Sequence, residues 1–261
     1  MECAKIPSTG VNISRLKIMP LNPDQITAHK ALKTAELREM TEISKTRPTT
    51  LFIETTSRCN IDCIMCWRQG DNPNAMGDMS LETFHKLLPL LDYAQTVVMQ
   101  GSGEPFVNPH FPEMLKLAGQ RCDGICFATN GTIMPQKYAD LLVDCRVNTV
   151  MVSMDAGSAP VYEKIRRKSK WSHIMENLER LVETRKKKGS DRPNMTFEFV
   201  LMRSNVEDLE NFLHTAHRLE VKHVGIRHLW IFDETNREET MFLYPDLMEE
   251  WFQRAESLGK E

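Results

Sequence analysis

The stretch GICFATNGTIMPQKYADLLVDCRVNTVMVSMD, residues 124–155, contains a complete strand–helix–strand unit. Its two ends are short runs rich in β-branched and other apolar residues, which favour strands. Between them, PQKYADLLVD places apolar residues three or four positions apart, which is the period of an amphipathic helix. Two strands joined through a helix pair in parallel, so this stretch predicts an α/β fold with a parallel sheet.

The same alternation runs from about residue 50 to residue 230. Helical stretches separate six predicted strands, which are TLFIETT (50–56), TVVMQG (96–101), GICFATN (124–130), TVMVSMD (149–155), MTFEFVLM (195–202) and HVGIRHLW (223–230). Parallel strands joined by helical crossovers need cover on both faces, and six such units close into part of a barrel. The predicted fold class is α/β, a partial (β/α)6 TIM-like barrel of parallel strands with an N-terminal helical extension.

This pattern divides the chain into three segments. Residues 1–48 form an N-terminal extension with one helix from Pro23 to Ser44, and residues 49–232 form the (β/α)6 core. Residues 233–261 carry a C-terminal helix, PDLMEEWFQRAESLGKE. That helix ends abruptly with no closing strand, which favours a fragment of a longer polypeptide. We therefore interpret the last segment as the start of a truncated further module.

Composition limits the classes of protein to which this chain can belong. Of 261 residues, 41% are hydrophobic and 26% are charged, close to the averages of globular proteins. The formal net charge of −3 argues against a broad nucleic-acid surface. No apolar run is long enough to cross a bilayer, and the N-terminal stretch lacks the apolar block of a secretory signal. We therefore expect a cytoplasmic protein with no membrane or nucleic-acid partner.

Three of the seven cysteines lie together in ETTSRCNIDCIMCW, residues 54–67. Thiols stay reduced in the cytosol, so a tight group of cysteines indicates metal binding or catalysis rather than disulfides. Cys59, Cys63 and Cys66 follow the first predicted strand, at the carboxyl end of the barrel strands, where such barrels have their active sites. Three thiolates leave one iron of a four-iron cube without a protein ligand, open to exogenous chemistry.

Two other interpretations of these cysteines are a zinc site and an incidental group of buried thiols. Structural zinc takes four protein ligands, usually in two close pairs, and neither a second pair nor a nearby histidine supplies the fourth here. The spacing therefore favours an iron–sulfur cluster. Cys3, Cys122, Cys126 and Cys145 have neither the spacing nor the neighbours for a second cluster.

The second predicted strand ends in GSGEP, residues 101–105, in the loop that matches the cysteine loop in position. Gly101 and Gly103 allow the backbone to come close to a bound ligand, and Glu104 offers a carboxylate to the ammonium group of a cofactor. An ordinary tight turn is the alternative, since Gly, Ser and Pro all suit one. Nicotinamide binding is unsupported, because the GxGxxG fingerprint needs a glycine where the chain has Phe106.

The CxxxCxxC spacing after the first strand of a βα array resembles the signature of the radical S-adenosylmethionine (SAM) superfamily, over roughly residues 50–230. The resemblance implies an enzyme with a 4Fe-4S cluster held by Cys59, Cys63 and Cys66, and with S-adenosyl-L-methionine chelating the remaining iron. In that family one electron cleaves the sulfonium bond, and the resulting 5′-deoxyadenosyl radical removes a hydrogen atom from the substrate. Contact at the open iron suits this difficult reduction, because it brings donor and acceptor together.

The resemblance also implies further cofactor-binding residues. GSGEP is similar to the family's GGEP segment, which assigns Gly101, Gly103 and Glu104 to SAM. The fourth strand ends in SMDAG, where Ser153 would hydrogen-bond the ribose or carboxylate end of SAM. Arg166 in YEKIRR occupies a position where relatives place an arginine for the cofactor carboxylate, a task that suits a guanidinium. A solvated basic helix end is the alternative for Arg166.

Some segments depart from the family pattern. The residue before the third cysteine is often aromatic in relatives, whereas this chain has Met65. The fifth strand, in FEFVLMRSN, lacks the GxIxGxxE pattern, so only Asn205 is a candidate for supporting the adenine. Asn130, after the third strand, is interpreted as a turn former. Arg227 and His228 alternate on the sixth strand, so at most one of them points into the barrel.

The segment VSMDAGSAPVYEKIRR and the long helix after it resemble radical SAM enzymes that modify peptides or proteins and carry a cysteine-rich C-terminal SPASM module with auxiliary clusters. No cysteine follows Cys145 in this chain. The implied partners are an unidentified substrate, a peptide or protein, and an electron donor such as flavodoxin or ferredoxin. The alternative from another class is a non-catalytic iron–sulfur or zinc-binding module, in which four cysteines usually protect the metal.

Overall fold

The computed structural model describes residues 23–40, 42–68, 77–232 and 234–260. The chain divides into two compact units, one that ends at Thr46 and one that begins at Arg47. The first unit contains helix α1 (Pro23–Glu39). The second unit contains all the other helices and strands of the described residues.

Helix α1 is shorter than the sequence predicts, because it ends at Glu39 rather than at Ser44. Met40 adopts a left-handed backbone conformation with φ of 49°, which breaks the helical path. The carboxylate of Glu36 then accepts the backbone N–H of Lys45 at 2.6 Å and the hydroxyl of Ser44 at 2.7 Å. These local hydrogen bonds compete with another helical turn.

Six parallel strands form the main sheet of the second unit, and each of them overlaps one predicted segment. The strands of the described residues are numbered in chain order, and two of them, β2 (Asp62–Cys63) and β6 (Arg166–Arg167), pair separately from this sheet. The six are β1 (Thr50–Phe52), β3 (Thr96–Met99), β4 (Ile125–Thr129), β5 (Thr149–Ser153), β7 (Asn194–Leu201) and β8 (His223–His228). Their order in the sheet is β1-β3-β4-β5-β7-β8, so each strand lies beside its predecessor in this series. In the part of the chain that the structure describes, β1 and β8 are the two edges, and the barrel is partial.

At least one helix connects each strand of the sheet to the next. The helices of this unit are α2 (Leu81–Leu91), α3 (Phe111–Gly119), α4 (Gln136–Asp144), α5 (Ala159–Ile165), α6 (Trp171–Lys187), α7 (Leu209–Arg218) and α8 (Pro245–Lys260). The strand order and the alternation with helices confirm the predicted α/β class and the partial (β/α)6 barrel. No helix within the described ranges is long and apolar enough to span a membrane.

The two faces of the sheet have different surroundings, as strand β7 illustrates. Phe197 and Phe199 are fully buried and contact the ring of Phe212 on α7, so they face the helical layer. Glu198 lies between them in sequence and faces the opposite way, because successive side chains of a strand alternate. We call this second face, which the helices do not cover, the inner face of the barrel.

Helix α8 packs on the same core as the sheet. Its Trp251 is 9% exposed and lies in the main hydrophobic cluster, and Met248 and Phe252 pack against that cluster. The segment predicted for residues 233–261 thus carries a helix in contact with the second unit. The place of this segment in a further module stays a prediction.

Candidate active site

The three cysteines lie on the loop that leaves β1, and a short ladder fixes the middle of this loop. Strand β2 pairs antiparallel with β6, and Cys63 is opposite Arg166. The backbone N–H of Ile64 also donates to the carbonyl of Ile165 at 3.0 Å. We call residues 56–66 the cysteine loop. The ladder ties this loop to the segment after α5, which carries a predicted cofactor-binding arginine.

The cysteine loop is held on its other side by the loop after β3. The backbone N–H of Glu104 donates to the carbonyl of Arg58 at 2.8 Å. A Cβ atom on Gly103 would lie 2.4 Å from that same carbonyl oxygen and 2.5 Å from the carbonyl oxygen of Thr56. The close approach that this glycine permits is therefore to the cysteine loop itself.

Asn130 connects the end of β4 to the first cysteine. Its Oδ1 accepts the backbone N–H of Thr132 at 2.9 Å, so it forms the turn that the sequence predicts. Its Nδ2 lies 3.5 Å from Cys59 Sγ and donates to Asn60 Oδ1 at 2.9 Å. Sequence reasoning missed this second contact, and the position of the Asn-Gly turn at the same rim as the cysteines was the available signal.

Arg166 is buried at the second cysteine, and the solvated helix end considered for it is wrong. It forms an ion pair with the carboxylate of Asp155, and both side chains are almost completely buried. Its Nη1 lies 3.7 Å from Cys63 Sγ. Burial raises the pKa of the Asp155 carboxyl and the Arg166 charge opposes that rise. Because a guanidinium does not deprotonate in proteins, Arg166 brings a positive charge to the thiol.

The thiols have surroundings that suit bound iron. Cys59, Cys63 and Cys66 are half-buried and form no disulfide. Burial raises the pKa of the Cys63 thiol to about 11, and the charge of Arg166 opposes that rise. Iron binding must therefore displace a proton from Cys63, and the two donors at Cys59 and Cys63 favour the thiolate form that metals require.

The three thiols form a donor set that suits an iron–sulfur cluster. Within the described ranges, no three His, Cys, Asp or Glu side chains converge closely enough to hold one metal ion. Structural zinc takes four protein ligands, whereas a four-iron cube can take three cysteines at three of its corners and leave one iron open. The donor set of three sulfurs therefore fits an iron–sulfur cluster.

Two polar groups near the cysteine loop are available to a ligand. Arg166 Nε is buried and has no hydrogen-bond partner among the described residues. Ser153 at the end of β5 is half-buried, and its hydroxyl forms no hydrogen bond seen among those residues. Buried polar groups are normally paired, so an unpaired guanidinium nitrogen beside the cysteines fits a bound anionic group.

The Glu104 side chain is buried and bonded to the protein, whereas its predicted role is to contact the ammonium group of a cofactor. Its side chain is 1% exposed, and its carboxylate accepts hydrogen bonds from the Thr129 hydroxyl at 2.9 Å and the Asn130 backbone N–H at 2.7 Å. It also accepts the backbone N–H of Phe106 at 3.3 Å. The predicted contact with the cofactor ammonium stays a prediction. In this structure Glu104 joins the loops after β3 and β4.

Replacement of Gly103 by alanine tests the packing of these two loops. The new methyl group would collide with two backbone carbonyls, so the cysteine loop must move, and we expect a loss of about 2 kcal/mol in the free energy of unfolding. We also expect less iron to be retained after reconstitution. Urea unfolding and iron analysis measure both effects.

Gly259→Ala is the matched control, since no atom lies within 4 Å of the added Cβ there. The control should be neutral or slightly stabilising, because alanine is the better helix former. Equal unfolding free energies for the two variants would show that the loop contact at Gly103 is wrongly described.

The pH dependence of stability tests the burial of Glu104. Burial raises the pKa of this carboxyl from 4.5 to about 7, despite the hydrogen bonds that favour its charged form. Between pH 4.5 and 7 the folded chain therefore binds a proton that the unfolded chain has lost. The contribution of Glu104 to the free energy of unfolding falls by about 3 kcal/mol as the pH rises through this window.

The comparison with Glu104→Gln isolates this contribution, because the variant cannot titrate at this position. The difference in unfolding free energy between the original chain and the variant, measured with urea, should decrease from pH 4.5 to pH 7.5. A difference that stays constant over this range would contradict the raised pKa.

Four other residues singled out in the sequence have clear positions. Asn205 is fully buried and donates to the carbonyls of Asp155 and Val200, both at 2.9 Å, so it joins the segment after β5 to β7. Its contact with an adenine stays a prediction. Met65 packs in a small buried cluster with Ile165, Met202 and Leu229. On β8, His228 stacks on Phe242, whereas Arg227 reaches Glu198 on the inner face, as the alternation predicts for one of the pair.

Known proteins share the fold of this chain and part of its sequence. The Pyrococcus furiosus "tungsten-containing aldehyde ferredoxin oxidoreductase cofactor-modifying protein" is 29% identical over 61% of this chain and 45% of its own length. The mycofactocin maturase MftC of Mycobacterium tuberculosis is 26% identical over 66% of this chain and 42% of its own length. The chain thus spans about half the length of the curated relatives it matches.

A solved structure of Streptococcus suis SuiB bound to S-adenosylmethionine has the same fold. Its TM-score is 0.66 at 14% identity, and the match covers 93% of this chain and 55% of SuiB. SuiB bound to its precursor peptide SuiA matches with a TM-score of 0.62 at 13% identity, over 90% of this chain and 53% of SuiB.

The sequence also matches the family model of the radical SAM superfamily over residues 53–216, which is more than half of the chain. The matched range includes the cysteine loop, the loop after β3 and the Asp155–Arg166 pair. This chain belongs to the radical SAM superfamily.

Proposed function

We propose that this chain binds a 4Fe-4S cluster through Cys59, Cys63 and Cys66, and that it uses the cluster with SAM to start radical chemistry on a peptide or protein. The observation that carries the proposal is the cysteine loop itself. It presents three thiols at the carboxyl end of a parallel barrel, with nitrogen donors beside two of them.

A cluster reduced by an external donor would supply one electron to the sulfonium of SAM bound at its open iron, chemistry that yields methionine and a 5′-deoxyadenosyl radical able to take a hydrogen atom from the substrate. The residues of this chain hold and orient these groups. Asn130 donates toward Cys59, and Arg166 neutralises charge at Cys63. Such donors stabilise thiolates and tune a cluster without binding iron.

The proposed SAM site lies between the cysteine loop and the inner face of the barrel. Arg166 has a buried nitrogen without a protein partner among the described residues, which suits the carboxylate of SAM. Ser153 offers a hydroxyl to the ribose or carboxylate end. Gly101, Gly103 and Glu104 are proposed to border the ammonium end, with Glu104 also holding Asn130 in place.

A peptide or protein is the proposed substrate class. SuiB, which has the same fold, is known in a complex with a precursor peptide, and MftC is named as a maturase. A partial barrel with an open side gives an extended chain access to its inner face. The proposed electron source is a small redox protein such as flavodoxin or ferredoxin, in a reducing compartment such as the cytoplasm, where thiols stay reduced.

Anaerobic reconstitution with iron and sulfide, followed by an assay for 5′-deoxyadenosine, tests this proposal. The reconstituted chain should release deoxyadenosine from SAM only when a reductant such as dithionite is present. A chain that binds iron but forms no deoxyadenosine under these conditions would instead be a non-catalytic iron–sulfur module.

A further inference from the structure

Two charged side chains lie on the inner face of the barrel, close to its carboxyl end. Glu198 is on β7 and Arg227 is on the edge strand β8. Arg227 Nε donates to Glu198 Oε2 at 2.7 Å. Glu198 faces away from the helical layer, because its neighbours Phe197 and Phe199 pack on α7. Neither charged residue has a role in the proposed cluster or SAM site.

The register of the strands brings this pair beside the proposed SAM site. Ser153 on β5 is opposite Glu198, and Glu198 is opposite Gly225 on β8. Arg227 is opposite Val200, two residues further along the strand toward the carboxyl end. Adjacent strands are about 5 Å apart, so the Glu198 carboxylate is one strand away from Ser153. A substrate near the SAM site would therefore lie within reach of Arg227.

The lack of a side chain at Gly225 leaves room for the Glu198 carboxylate. A Cβ atom on Gly225 would lie 2.6 Å from Glu198 Oε2, so a larger residue there would displace the carboxylate. Glycine at 225 thus allows Glu198 to lie across the edge strand and receive Arg227. Glu198 on β7 and Gly225 on β8 together position the guanidinium of Arg227.

Arg227 keeps most of its hydrogen-bonding capacity available. It uses Nε for Glu198, and within the described part of the chain its two terminal nitrogens form no hydrogen bond that the structure shows. The side chain of Arg227 is 69% exposed, while that of Glu198 is 20% exposed. An ion pair this exposed contributes at most about 1 kcal/mol to folding, so stability is a weak reason for placing these charges inside a barrel.

We propose that Arg227 is a specificity residue that binds a carboxylate of the substrate, and that Glu198 positions it. A guanidinium anchored at Nε still presents its two Nη groups, which match the two oxygens of a carboxylate. This inference rests on the proposed function, in which the substrate is a peptide or protein. The carboxylate is then an Asp or Glu side chain or a free C-terminus.

Binding of defined peptides to the reconstituted chain in the presence of SAM tests the proposal. The first pair is acetyl-Ala-Ala-Glu-Ala-Ala-amide and the same peptide with Gln in place of Glu. The second pair is acetyl-penta-alanine with a free carboxyl terminus and its amide. Calorimetry gives the ratio of dissociation constants within each pair. The pair that shows a preference distinguishes a side-chain carboxylate from a C-terminal one.

We expect the original chain to bind the carboxylate member of one pair with a dissociation constant about tenfold lower or more, because a hydrogen bond to a charged group contributes that much to binding. Arg227→Gln should bring that ratio close to one, and Glu198→Gln should lower it in part. Arg218→Gln is the matched control, because Arg218 also pairs with one glutamate, Glu179, but lies on α7 in the outer layer. The control should keep the preference.

No preference in either pair, or a preference that survives Arg227→Gln, would overturn the assignment. Thermal unfolding of each variant checks that the fold is kept, which is expected for an exposed side chain. Deoxyadenosine formation by the original chain without peptide tests the proposed function separately. If the original chain forms no deoxyadenosine, the proposed radical chemistry is wrong. The ratio of dissociation constants within each peptide pair separately decides the role of Arg227.

Discussion

Replacement of Cys63 by alanine is expected to remove the cluster and with it all reductant-dependent deoxyadenosine formation. Cys63 lies in the β2–β6 ladder, with Arg166 beside its sulfur. Without this thiolate two cysteines remain, which is too few to hold a cube with one open iron. Iron content after anaerobic reconstitution should fall from about four per chain to below about one. Iron analysis and chromatography of the nucleoside product measure the two losses.

Cys145→Ala is the matched control for this variant. Cys145 is also a half-buried thiol outside any disulfide, but it follows α4 and precedes β5, at the opposite end of the strands from the cysteine loop. The control should keep both its iron and its activity. Full iron content and deoxyadenosine formation in Cys63→Ala would contradict the assignment of the three cysteines.

Asp155→Asn is expected to lower the free energy of unfolding by about 3 kcal/mol. The substitution leaves the Arg166 charge buried without its counter-ion. Asp155 has a left-handed φ of 58°, a conformation that asparagine tolerates, so the change removes charge with little backbone strain. The Asn side chain can still accept the backbone N–H of Val200, which now donates to Asp155 at 2.7 Å.

The neighbouring pair of Asp62 and Arg167 supplies the control for urea unfolding. These side chains are separated by 3.1 Å but are 38% and 46% exposed, so Asp62→Asn should change stability by less than about 1 kcal/mol. Adding Arg166→Met to Asp155→Asn should recover part of the loss, because it removes the unpaired charge. Equal effects of Asp155→Asn and Asp62→Asn would show that the buried pair is not formed.

The strands and helices could be predicted because burial determines their sequence patterns. The β7 strand alternates buried residues such as Phe197 and Phe199 with half-buried ones such as Glu198, and this period of two is visible in the sequence. In the outer helices one face is buried, and the apolar residues accordingly recur three or four positions apart in the sequence. The C-terminal limit of α1 was not predictable, because side-chain hydrogen bonds of Glu36 determine it.

The position of the candidate site could also be predicted, but its supporting contacts could not. The cysteine spacing and the strand before it indicate where the loop lies. The contact from Asn130 to Cys59 joins residues 71 positions apart, and the contact from Arg166 to Cys63 joins residues 103 positions apart. Such pairs depend on loop geometry. A local pattern also does not reveal that Glu104 faces the interior.

In the proposed site, three thiolates hold a four-iron cluster whose remaining iron binds SAM. Mössbauer spectroscopy of the chain reconstituted with ⁵⁷Fe, recorded with and without SAM, tests it most directly. We predict that SAM shifts the signal of about one quarter of the cluster iron, because one iron lacks a protein ligand. A spectrum in which no iron responds to SAM would contradict the claim.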